Sequence, residues 1–227
     1  MTVDLYFYPT SPQCAFVRIV AQRIGVQLRL HPLSPAARHE FPEKFAKVNP
    51  QRSVPMIDDD GFVLAESRAI GMYLLNKYAP DSTLYPKEPQ RRAVVDRMLF
   101  FEMVFMQESA RAALKDVIKR GSLTSERAQI VNNGLRMAIE LLGSNKFLAG
   151  DELTLADIGL ALSIGITMTG LGGEEVQHFK ELEEYHDRVR KEVPEFDDHF
   201  ALMWAAVTET VAKSRLANGK EGNKLRL

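Results

Sequence analysis

The chain has 227 residues, 45% of them hydrophobic and 26% charged, and its 29 Lys+Arg against 30 Asp+Glu give a formal net charge of −1. That balance excludes a disordered, collagen-like or nucleic-acid-coating chain, and a lone Cys14 excludes an internal disulfide. No run of about 18 apolar residues predicts a membrane span, and the opening Met-Thr-Val-Asp-Leu-Tyr carries no basic stretch before an apolar one, so a cytoplasmic address is expected. The prolines then divide the chain. Ten of the 11 lie at or before Pro89 and only Pro194 lies beyond, so short elements with many turns are expected first and long helices afterwards. Val3, Leu5 and Phe7 alternate with Asp4, Tyr6 and Tyr8, which predicts a strand. Phe16, Ile19, Val20 and Ile24 then follow a helical period from Pro12, closed by Gly25. Val26, Leu28 and Leu30 predict a second alternating strand, and Pro42 to Val48 a short helix. Val54–Ile57 and Phe62–Leu64 flank Asp58-Asp59-Asp60-Gly61, a hairpin signal because glycine supplies the positive φ of the turn. Ser67 is placed to cap a helix running to Tyr78.

The order β-α-β-α-β-β-α predicts a parallel pair joined by a right-handed crossover, with the hairpin added as an antiparallel edge. Everything after Pro89 predicts helices: Arg91–Lys119, free of Gly and Pro, then Ser125–Leu142 ending at Gly143, then Leu155–Met168, apolar almost all round. Thr154 and Asp157 match the acid variant of a capping box, with Leu153 and Ile158 placed as a hydrophobic staple. The predicted division is a first domain over 1–80, a linker over 81–90 and an all-helical domain over 91–227. The basic end, with Lys213, Arg215, Lys220, Lys224 and Arg226 against Glu221, predicts a fraying helix end or a solvated arm.

Four short stretches carry polar groups that suit chemistry. Pro9-Thr10-Ser11-Pro12-Gln13-Cys14 follows the first strand, and Ser-x-x-Cys there is a redox Cys-x-x-Cys with oxygen in place of its first sulfur. At a helix N-terminus such a hydroxyl either donates to a bound thiolate or merely caps the helix. Cys14, one turn in, reads as packing. In Asn49-Pro50-Gln51-Arg52-Ser53-Val54-Pro55, a cis bond before Pro55 is the arrangement that would expose the Val54 backbone to a peptide. Glu66-Ser67-Arg68 offers an anion, a hydroxyl and free N–H groups, or a plain cap with an ion pair. Arg38-His39-Glu40 is a polar loop.

Taken together, these stretches resemble the cytosolic glutathione transferases over nearly the whole chain. Asn-Pro-Gln-x-x-Val-Pro followed by Glu-Ser-Arg-Ala-Ile is similar to a pair of the family's signatures, and Gly150-Asp151-x-Leu153-Thr154-x-Ala156-Asp157 resembles its helix-6 motif. Tyr85-Pro86-Lys87-x-Pro89 with Arg92-Ala93-Val94-Val95-Asp96 resembles the arthropod delta and epsilon classes. The resemblance implies an α/β plus all-α fold, a thioredoxin-like domain followed by a helical bundle that lines an electrophile pocket. It implies conjugation of glutathione to small hydrophobic electrophiles, with Ser11 stabilising the thiolate. Glutathione would be held by His39, Gln51, Arg52, Val54, Pro55, Glu66, Ser67 and Arg68, and the second substrate by Phe105, Met106, Gln107, Ala110 and Arg111. A homodimer is implied, with no metal, no cofactor beyond the co-substrate glutathione, and no nucleic-acid or membrane partner.

The sequence departs from the family pattern at several positions. Arg52 stands where histidine is usual, and its fork can still hold a carboxylate. Ala15 replaces a common arginine. The lack of aromatic bulk near Gln107 and Ala110 suggests a roomier second pocket. A non-catalytic carrier of the same fold is the competing reading, although a carrier need not keep Ser11, Val54-Pro55 and Glu66-Ser67 together. A thiol–disulfide oxidoreductase would need cysteine at position 11.

Overall fold

The computed structural model describes residues 2–34, 41–171 and 175–219. They form two compact units: Met1–Lys87 with Glu195–Met203, and Glu88–Pro194 with the chain from Trp204 onward. The return of the chain to the first unit at Glu195 has no local sign in the sequence.

In the first unit, β1 (Thr2–Phe7), α1 (Pro12–Arg23), β2 (Gln27–Pro32), β3 (Met56–Asp59), β4 (Phe62–Ala65) and α2 (Ser67–Tyr78) follow the expected order. The sheet runs β2-β1-β3-β4, with β1 and β2 parallel and the pairs β1–β3 and β3–β4 antiparallel. β1 buries Val3, Leu5 and Phe7 and leaves Asp4 and Tyr6 half-exposed, the period expected of it. β2 departs from its expected alternation: Leu30 is 43% exposed, because β2 is an edge strand with one flank unpaired. β3 begins two residues later than expected, since Pro55 has no N–H to give a ladder. A 3-10 turn, Glu43–Phe45, stands where a short helix was expected. The hairpin turn is the two residues Asp60 and Gly61, at φ 53° and 87°. Positive φ at both positions is what a tight two-residue connection demands. Asp59 anchors the hairpin to α2, accepting from Tyr73 Oη at 2.6 Å, Lys77 Nζ at 2.7 Å and Tyr78 Oη at 2.8 Å. Burial pushes the Asp59 carboxyl up, but Lys77, Tyr73 and Tyr78 outweigh it and hold the group below its ordinary range.

The second unit contains α3 (Pro89–Phe101), α4 (Glu108–Arg120), α5 (Ser125–Leu142), α6 (Leu155–Gly165), α7 (Lys180–Glu192) and the later part of α8 (Glu195–Ala217). The single helix expected over Arg91–Lys119 is divided: a π-helical segment, Glu102–Gln107, separates α3 from α4. A second one, Ile166–Gly170, closes α6. Nothing local marks either; π turns are rare, short interruptions of α-helices. Here Glu102, fully buried, accepts the Ser163 hydroxyl of α6 at 2.6 Å, and the Thr167 hydroxyl donates to the Ser163 carbonyl at 2.6 Å.

α6 begins with the expected capping box. The Asp157 carboxylate accepts from the Thr154 N–H at 2.7 Å, the Thr154 hydroxyl at 2.8 Å, the Leu148 N–H at 2.8 Å and Tyr185 Oη at 2.7 Å. Burial pushes this carboxyl above its usual range, and the four donors offset part of that. At the end of α4, Gly121 (φ 73°) lets α8 approach: an added Cβ would stand 3.1 Å from the Asn218 Cβ. Ser214 donates there to the carbonyls of Val117 and Ile118 at 2.6 and 2.8 Å. Lys213 and Arg215 are part of α8, while the tail expectation for 220–227 lies outside the described residues.

Candidate active site

The register of the sheet assembles the site. Tyr6 of β1 pairs with Met56 of β3, and Met56 pairs with Ala65 of β4. The chain leaves Tyr6 toward Ser11, reaches Met56 from Val54-Pro55, and leaves Ala65 into Glu66-Ser67. Antiparallel pairing therefore puts all three stretches at one end of the sheet, where α1 and α2 both start.

Ser11 is the N-cap of α1, with Pro12 behind it. Its Oγ accepts the Cys14 N–H at 3.3 Å and donates to Gln13 Oε1 at 2.9 Å. The capping reading of Ser11 is thus real, and one mobile proton remains on its hydroxyl. Cys14 is fully buried, and burial pushes its thiol up to about 11, so it stays protonated near neutrality.

The Val54–Pro55 bond is cis. No other described residue makes a hydrogen bond to the Val54 N–H or C=O. Asn49, 3% exposed, holds the loop before it: Nδ2 donates to the Ser53 carbonyl at 2.7 Å, and Oδ1 accepts the Ser53 N–H and hydroxyl, each at 3.3 Å. Sequence reasoning assigned Asn49 no role, although Asn-Pro is a turn-initiating pair that marks it. Gln13, whose amide oxygen accepts the Ser11 hydroxyl, was likewise unassigned. Gln51 is exposed, and Arg52, at φ 50°, pairs with Glu43 at 3.1 Å.

Glu66 is the N-cap of α2, at φ 73°, in place of the expected Ser67, which is the first helical residue. β4 runs into the helix without a linker, and the reversal falls on Glu66. The Glu66 side chain makes no capping hydrogen bond to this N-terminus among the described residues. Ser67 is 7% exposed and accepts from Arg68 Nη1 at 3.3 Å. Arg68 is 4% exposed and stands over the Phe16 ring at 4.0 Å. His39 lies outside the described residues.

The five second-substrate candidates belong to the helical unit and do not share one face. Phe105 is 49% exposed and stacks on Phe101 at 5.7 Å. Gln107 is half-buried, and Arg111 is exposed and paired with Glu108. Met106, 1% exposed, packs over Gly134 of α5, and Ala110 is also buried. Among the described residues, no group of three or more His, Cys, Asp or Glu is placed to hold a metal, and no helix is long and apolar enough to cross a membrane.

Residues 5–82 match the family model for the glutathione S-transferase N-terminal domain, and residues 98–192 the one for the C-terminal domain. Glutathione S-transferase D7 of Drosophila melanogaster is 32% identical over 164 residues, covering 71% of this chain and 73% of the relative. Glutathione S-transferase D6 of the same species is 26% identical over 205 residues, covering 90% and 94%. The solved structure of a Nilaparvata lugens delta-class glutathione transferase is similar with a TM-score of 0.85 at 30% identity, over 93% of this chain and 99% of that one. With both domains matched in order and a 32% identical relative covered over almost three-quarters of its length, the chain belongs to the glutathione S-transferase family.

Proposed function

We propose that this protein is a glutathione transferase that ionises the thiol of glutathione beside Ser11 and joins the sulfur to small hydrophobic electrophiles. The observation that carries this reading is the register that gathers the α1 N-cap hydroxyl, the Val54 backbone, which no other described residue engages, and the α2 N-terminus, which the Glu66 side chain does not cap, at one end of the sheet. An extended tripeptide fits three such features: its cysteinyl N–H and C=O on Val54, its γ-glutamyl carboxylate at Ser67, and its γ-glutamyl ammonium on Glu66. Gln51 and Arg52 suit its glycine carboxylate, for which Arg52 would leave Glu43; His39 belongs to the same proposal. Arg68 would act from behind, holding Ser67 in place.

In the chemical step the thiol proton leaves to solvent and the thiolate attacks carbon. The leaving group departs with its electron pair, or the pair moves into the acceptor. A free thiol has a pKa near 8.5, and lowering it by about two units takes roughly 2.7 kcal/mol. A hydrogen bond to a charged group supplies about 1.5–3 kcal/mol and a helix N-terminus about 0.3–1 kcal/mol. Ser11 would turn its proton from Gln13 to the sulfur and keep the Cys14 N–H as its cap. Phe105, Gln107 and Arg111 are the proposed contacts of the electrophile. The exposed Phe100 (63%) and Val104 (61%) support the proposal of a homodimer, and the cytoplasm is the proposed setting.

The test is Ser11→Ala. Glutathione binding should persist while the conjugation rate with a reactive aryl halide at neutral pH falls about 100-fold. A full rate would remove Ser11 from the mechanism. Glutathione retention by the wild type without turnover of any electrophile would favour the carrier.

A further inference from the structure

The first unit covers its sheet unevenly. α1 packs beside α2 and against β2, yet Leu30 on β2 stays 43% exposed while Leu5 and Ile57 on the central strands are fully buried. Between α1, the edge strand and the first turns of α8 lies an open depression of about 240 Å³, lined by Arg18, Gln22, Val26, Leu28, Leu30 and His199. It is made entirely within this unit, and none of its residues belongs to the site described above.

Three features define what the depression accepts. Arg18 and Gln22 are four residues apart on α1 and so share one face. The Arg18 guanidinium stands 5.2 Å from the Phe7 ring centroid, and no carboxylate among the described residues pairs with it. Burial pulls its pKa down from the ordinary arginine value, so an anion would relieve it. Leu28 and Leu30, two apart on a strand, face the same side and form an apolar floor with Val26.

The third feature is His199. It is 7% exposed, its Nε2 is 3.0 Å from Gln22 Oε1, and its Nδ1 is buried without a hydrogen-bond partner among the described residues. Burial, followed by the charge of Arg18, pushes the imidazole down to about 4. The ring is therefore neutral at pH 7 and carries one proton. Gln22 Oε1 only accepts, so that proton sits on Nε2. His199 thus engages the amide oxygen of Gln22 and leaves the Gln22 NH₂ as a donor next to Arg18. Glu195, which bears on His199, is 3.7 Å from Arg23 and does not line the depression.

We propose that this depression is a second binding site, which takes a small organic carboxylate with a compact apolar body. The carboxylate lies against the Arg18 guanidinium and the Gln22 amide, and the body lies on Val26, Leu28 and Leu30. The site is separate from the proposed glutathione site and does not depend on that reading.

The test is isothermal titration of the purified protein with 1-naphthoate, alone and with saturating S-hexylglutathione. One naphthoate per chain is expected in both cases. Arg18→Met keeps the apolar stem and should weaken binding roughly tenfold or more, the size of one charge-assisted hydrogen bond. Leu30→Asp puts an anion on the floor at an exposed position and should abolish it. The neutral 1-naphthalenemethanol should bind at least about tenfold more weakly than naphthoate to the wild type. Both variants should keep wild-type thermal unfolding and conjugation rate. Wild-type binding in both variants, displacement by S-hexylglutathione, or no heat at millimolar naphthoate would each overturn the site. If S-hexylglutathione itself fails to bind, the glutathione reading falls while the naphthoate titrations still decide this one.

Discussion

Two helix starts in this molecule use the same local device to opposite ends. At α6, a hydroxyl residue and a carboxylate three positions on form a box whose bonds all end inside the fold: Asp157 is fully buried and takes four donors. At α1, Ser11 caps one N–H, Pro12 has none to offer, and the hydroxyl proton rests on the half-exposed Gln13 side chain. A cap whose bonds all end inside the fold can only stabilise. A cap with an exchangeable proton at the protein surface can transfer that bond to a ligand.

The sharpest way to break the comparison is Asp157→Ala. It strands the Leu148 and Thr154 N–H groups and the Tyr185 hydroxyl in a dry interior. At about 1–3 kcal/mol for each unsatisfied group, a loss of about 3 kcal/mol or more is expected. Calorimetry should show the melting temperature falling by roughly 10 °C, and a near-normal melt would mean that water replaces the carboxylate. Ser11→Ala should do the reverse. Its rate effect of about 100-fold corresponds to roughly 2.7 kcal/mol, while loss of the cap costs stability only about 1 kcal/mol. Equal damage to melting and rate would make Ser11 a structural cap alone.

Thr154→Ala ranks below both, at about 1 kcal/mol, because Asp157 keeps its other three donors. If this variant melted as low as Asp157→Ala, the box would be centred on the hydroxyl and not on the carboxylate. The smallest effect concerns acid. The folded Asp59 is held below its unfolded value of about 3.9. Its contribution is therefore fully present above that pH and is lost as pH falls through its lower folded value. Asp59→Asn should lower stability at neutral pH and flatten the acid limb of the stability curve below pH ~4; an unchanged acid limb would assign acid unfolding to other carboxylates.

Much of the fold was legible because its signals are local. The Asp-Gly turn, the Thr154–Asp157 box and the left-handed Gly25 each need only a few neighbouring residues. Reading failed where a neighbour far along the chain decides. The π segment at Glu102 answers to Ser163, the exposure of Leu30 to its place at the sheet edge, and the first residue of α2 to how β4 runs into it. The site divides the same way. Ser11, Val54-Pro55 and Glu66-Ser67 stood out as short motifs, whereas the clip made by Asn49 and the inward turn of Met106 required packing to be seen.

By itself the order of residues determined the alternation of strands and helices, the turn chemistry, the caps of α1 and α6 and the family. Those follow from backbone sterics and hydrogen bonding over a few residues. The tertiary structure decided which of these pieces face one another. Strand register brought three separated motifs to one end of a sheet, and the uneven cover of an edge strand left an arginine and an amide beside an apolar floor. Such juxtapositions depend on packing between segments distant in sequence, which no local pattern encodes.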